Sequence, residues 1–108
     1  MATAERELRA AQNQMLFRSV NGRIKELGEK VLHAVSQVDF ACECNDAECH
    51  DAIAMTIEEF AAIDAKTNRF IVRPGHEDLD VEDVVDTRDS YLIVAKRGAG
   101  REFVKQNS

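Results

Sequence analysis

Tryptophan is absent from this chain of 108 residues and tyrosine occurs once, which excludes a large aromatic core. The one proline is Pro74, so residues 3–37 hold no helix breaker. No apolar run approaches the roughly 18 residues of a spanning helix, and no membrane partner is expected. The opening MATAERELRAAQNQ has no apolar core, so no signal peptide is read and a cytoplasmic location is expected. Basic residues are scarce: 14 Lys and Arg against 20 Asp and Glu, a net charge of -6. The imbalance is local. Residues 1–38 hold six basic and four acidic side chains, net +2, so residues 39–108 hold eight and sixteen, net -8. Phosphate contacts need clustered Lys and Arg, so direct nucleic-acid binding is not expected. Catalytic signatures are missing too. There is no HExxH or GxSxG, and RGAGR at 97–101 lacks the lysine and spacing of a phosphate loop. The acidic run Asp78, Asp80, Glu82, Asp83 and Asp86 lacks the central glycine and last glutamate of a calcium loop, and reads as a solvated strand face.

What is present begins with a helix over 3–37. Good helix formers dominate it, Thr3 can cap it, and Glu5 and Glu7 favour its first turn. Phe17, Val20, Ile24, Leu27, Val31, Ala34 and Val38 recur at alternating steps of three and four, an a/d seam. Such a seam is either the inner face of the helix on its own domain or a surface that pairs with a protein partner or a second copy. Gly28 is a place for the helix to bend or break.

After Asp39 the texture changes to short extended runs. Strands are expected at 39–44 and 52–55. Thr56 opens a capping box with Glu59, which starts a short helix ending near Lys66. RFIV at 69–72 reads as a strand stopped by Pro74-Gly75. Residues 80–86 and 90–96 read as a hairpin around 87–89. The architecture is α+β: a long N-terminal helix over 1–38, a small antiparallel sheet domain with one short helix and a zinc knuckle over 39–97, and a flexible tail over 98–108. A domain of about 60 residues buries little surface and usually needs a staple.

The staple is expected in FACECNDAECHDA, residues 40–52. It holds all three cysteines, Cys42, Cys44 and Cys49, with His50 next to the last. Reduced, clustered cysteines are more often metal ligands than a disulfide frame. Cys42 and Cys44 project from one strand face, and converge only if the strand bends as it leaves the sheet. Asn45 and Asp46 supply a turn that returns Cys49. The fourth ligand is His76, held by the Pro74-Gly75 turn, or His50, or no protein group at all. The ligand types favour Zn2+.

DFACEC, a third cysteine, TIEEF, RFIVRPGHE and a VxxVV…YLIVxK hairpin occur here in that order. Together with LFRSVNGRIKEL, they resemble an uncharacterised family of short actinobacterial proteins, over roughly residues 15–96. The resemblance implies that Cys42, Cys44, Cys49 and His76 act together, with His50 a local feature. It implies no particular activity. A Cys3His shell is closed to water and substrate, so the expected role is structural zinc in a non-catalytic interaction or regulatory module. The alternatives are a redox- or zinc-responsive regulator and an accessory factor of a transcription or nucleic-acid complex. A hydrolytic enzyme would need an open coordination position.

Overall fold

The computed structural model describes residues 3–31 and 37–107. Its order is α1 (Ala4–Val31), β1 (Gln37–Ala41), β2 (Ala52–Thr56), α2 (Ile57–Asp64), β3 (Phe70–Val72), β4 (Glu82–Thr87), β5 (Leu92–Lys96) and α3 (Gly98–Gln106). The fold is α+β. β1 and β2 form one antiparallel ribbon, and β3-β5-β4 a second antiparallel sheet. Val85 interrupts the β4–β5 register as a bulge.

The local signals explain most elements. The Thr3 hydroxyl accepts from the Arg6 N–H at 3.1 Å and caps α1. Thr56 and Glu59 make the full capping box of α2. The β4–β5 turn is closed by Arg88 N–H donating to Tyr91 O at 2.9 Å. Phe40 and Phe60 stack with centroids 4.4 Å apart, joining β1 to α2. With Ile53, Met55, Ile71, Val72 and Val94 they form the core, which also contains Cys42 and Cys44. Phenylalanine thus supplies a compact aromatic centre in a chain without tryptophan.

Four expectations are corrected. First, the tail folds: Gly98–Gln106 is α3, with Val104 buried. Its N-terminus lacks a side-chain cap of its own, and Ala99 N–H instead donates to Glu7 of α1 at 3.4 Å. Second, α1 runs unbroken through Gly28. That glycine permits close approach, because a Cβ there would lie 2.6 Å from Ile57 Cδ1.

Third, the apolar seam is not the inner face of α1. Ala10, Ala11, Gln14, Asn21 and Gly28 are buried, while Val20, Leu27 and Val31 are exposed and Phe17 and Ile24 lie between. Buried hydrogen bonds from Gln14 and Asn21 turn the helix away from its apolar side. Val38 of the seam belongs to β1, and Ala34 lies outside the described residues. Fourth, the acidic run is not uniformly solvated. Glu82 is buried and pairs with buried Lys96 at 2.9 Å, and Asp78, Asp80, Asp83 and Asp86 each meet an arginine. Among the described residues no helix is long and apolar enough to cross a membrane.

Candidate metal centre

β1 ends at Ala41, one residue before the first cysteine, rather than running to 44. The reason is a change of partners. Cys42 N–H still donates to Asp51 O at 3.0 Å, extending the β1–β2 ribbon. The next residue crosses to the other sheet: Glu43 N–H donates to Ile71 O at 2.7 Å, and Ile71 N–H donates to the Glu43 carboxylate at 2.8 Å. The chain bends between the two sheets. Alternation puts Cys42 and Cys44 on one side and Glu43 on the other.

Asp46 then makes the turn. Its carboxylate accepts from Glu48 N–H at 3.0 Å, and its carbonyl from Cys49 N–H at 3.0 Å. This Asx turn brings Cys49 back beside the other thiols. His76 arrives from the end of β3 through Arg73-Pro74-Gly75. His76 N–H donates to Arg73 O at 2.9 Å, and Gly75 takes a φ of 92°, a left-handed value that suits glycine.

The four ligand atoms of Cys42, Cys44, Cys49 and His76 lie within 4.8 Å of one another. His76 Nδ1 is 3.5 Å from Cys42 Sγ and 3.6 Å from Cys49 Sγ. A tetrahedral zinc ion sets nitrogen and sulfur ligands roughly 3.6 Å apart, from Zn–S near 2.3 Å and Zn–N near 2.05 Å. The cluster therefore fits such an ion. His50 is exposed and outside this group.

The surroundings act on the thiols in two opposing directions. Burial pushes the Cys42 and Cys44 thiols above their ordinary values. The Arg73 N–H, 3.3 Å from Cys42 Sγ, acts the other way by donating to that sulfur. Metal binding must then displace both protons. His76 presents Nδ1 to the sulfurs, and its Nε2 lies 3.2 Å from Asp51 Oδ2. A carboxylate there fixes the ring's tautomer and orientation.

Sequence reasoning missed three groups. Asp51 is one of many acidic residues and carries no motif. The Arg73 donor is backbone. Glu43 sits between the first two cysteines, yet only the fold reveals that its carboxylate is buried. Arg18 of α1 grips it at 2.6 and 2.8 Å, and Asn21 Nδ2 adds a bond at 3.0 Å. The Arg18 guanidinium also lies over the Phe60 and Phe70 rings, 5.3 and 4.8 Å from their centroids. The knuckle is thereby tied to the middle of α1.

No family model matches the chain, and neither a curated protein nor a solved structure does.

Proposed function

We propose that the chain is a non-catalytic interaction or regulatory module whose knuckle is held by one structural zinc ion on Cys42, Cys44, Cys49 and His76. The observation that carries this reading is the ligand cluster itself. Four protein ligands, all within 4.8 Å of one another, make a complete set with no position left for substrate. Zinc would supply a cross-link, not a reaction. Three thiolates also offset its charge and make it a weak Lewis acid. The residues bridge both sheets: the cysteines follow β1, and His76 follows β3.

A zinc- or redox-responsive variant of this module is favoured by one feature. Cys49 is only partly buried, and an open cleft of about 640 Å³ runs beside Cys44 and His76. An oxidant reaching the thiolates would release the ion. The accessory-factor reading has support only in the basic balance of α1, and would act through a protein partner.

The test is elemental mass spectrometry of protein purified without added metal, for the wild type and His76→Ala together. One zinc per chain in the wild type, lost or weakened in the variant, is the expected result. A metal-free wild type would end the zinc reading. Full retention in His76→Ala would point to an open fourth position and reopen catalysis.

A further inference from the structure

Positive charge in the acidic part of this chain gathers in one place. Residues 39–108 hold eight Lys and Arg against sixteen Asp and Glu. An open cleft of about 560 Å³, walled by the α2–β3 loop, the end of β5 and α3, is lined by five of those eight and by Asp83 alone of the sixteen. Two of the five are already matched. Lys96 pairs with buried Glu82, and Arg97 pairs with Asp83 at 2.6 Å. Arg69, Arg101 and Lys105 remain, and among the described residues none of them makes an ion pair.

The backbone sets these three cations around the cleft. Arg101 and Lys105 are four residues apart on α3, so they share a face about 6 Å apart along its axis. Arg69 comes from the loop before β3. Asn68 takes a left-handed φ of 63° there and pins the loop to β5. Its Nδ2 donates to Lys96 O at 3.0 Å, and its Oδ1 accepts from Lys96 N–H at 2.8 Å. One Arg69 nitrogen donates to Asn68 O, which leaves most of its donor fork free. The N-terminus of α3 adds nothing to the site, because Ala99 N–H already donates to Glu7. Set against the three cations, the Glu7 carboxylate still leaves a charge of +2.

We propose that this cleft binds a diphosphate group. Three cations without a matching carboxylate favour an anion of several charges, and a diphosphate carries roughly -3 at pH 7. Two of the three are arginines, whose planar forks grip phosphoryl oxygens bidentately. The lining has no aromatic ring, and Ala95 is its one apolar side chain, so a nucleobase would find nothing to stack on. The group recognised is therefore the diphosphate itself, whether inorganic or carried by a larger molecule. The cleft beside the metal centre would repel the same ligand, since Arg6 there faces Asp46, Glu77, Asp78 and Asp80. The two clefts share no lining residue, so diphosphate binding does not depend on the zinc reading.

Isothermal titration calorimetry of the full chain in low-salt buffer without magnesium tests it, with inorganic pyrophosphate and with ADP as separate probes. Both should bind once per chain, within about threefold of each other, and both more tightly than sulfate. Arg101→Gln and Lys105→Gln should each weaken pyrophosphate binding about tenfold, with circular dichroism unchanged because both side chains are exposed. Arg23→Gln, which removes an exposed cation from α1, should leave binding as it is. Pyrophosphate that fails to bind at roughly millimolar concentration, or binds no better than sulfate, would overturn the proposal. So would equal affinity in Arg101→Gln and the wild type, which would put the anion elsewhere, on zinc for instance. ADP binding more than about tenfold tighter than pyrophosphate would mean that the nucleoside is recognised, and would overturn it too. An oligonucleotide that displaces pyrophosphate would assign the cleft to nucleic acid instead. Zinc content measured on the same samples decides the metal reading separately.

Discussion

Glu43 shows what a single residue adds to the ligand set. Its carboxylate accepts from Arg18, Asn21 and the Ile71 N–H, so no lone charge is buried. Removing one partner of such a pair costs roughly 3–5 kcal/mol, because the other charge stays buried. The sequence cannot flag it, since Glu43 is one of 20 acidic residues and its partner lies 25 positions away. The cysteines and His76 are different. Their ligand chemistry is in their identity, and the CxC pair with its turn fixes their convergence, so that part of the site was legible. Asp51 was not, and its role can be measured. Asp51→Ala leaves His76 Nε2 without its partner, and zinc affinity should fall 10–100-fold with the fold intact. Competition against a chromophoric chelator reads this directly. Equal affinities in variant and wild type would mean that the 3.2 Å contact does not orient the ring.

Elements were legible where capping and periodicity spoke locally, as in α2 with its Thr56–Glu59 box. They were not where a tertiary contact decides. α3 begins GAG after an uncapped Arg97, a weak local signal for a helix. It forms because α1 lies against it, with Glu7 accepting from the Ala99 N–H and Val104 reaching the core. The a/d seam misled for a related reason. Periodicity reports where apolar residues fall, but the inward face of α1 is chosen by Gln14, Arg18 and Asn21, whose partners are Glu82, Glu43 and Ala41. The α1–α3 packing has a sensitive point. A Cβ on Gly100 would lie 2.8 Å from the Glu7 carbonyl oxygen, and backbone cannot yield as a side-chain tip can. Gly100→Ala should therefore destabilise the chain by about 1–3 kcal/mol, despite alanine's better helix propensity. Urea unfolding checks it, and a gain in stability would show that α3 packs more loosely on α1.

At the scale of the whole molecule, the reason for expecting a staple changes. A sheet domain of about 60 residues would need one, but α1 and α3 complete the core around it, and Cys42 and Cys44 are themselves buried members. The metal-free chain can therefore keep its helices with both thiols protonated, as burial favours. Zinc on the proposed site would add stability by binding the folded state, about 4 kcal/mol when free metal exceeds its Kd a thousandfold. For a domain of this size that is roughly 15–30 °C in Tm. A strong chelator should lower Tm by that amount while far-UV circular dichroism at room temperature changes little. The pH dependence has a definite sign. Binding displaces the Cys42 and Cys44 protons, and those thiols hold them more tightly than free cysteine, so protons compete better as pH falls. The Tm gap between metal-loaded and chelated protein should be widest in mild alkali and close progressively towards acid. Complete unfolding on chelation at neutral pH would show that the apolar core cannot stand without the ion. A gap that ignored pH would mean that the stabilising ion is not held by these thiolates.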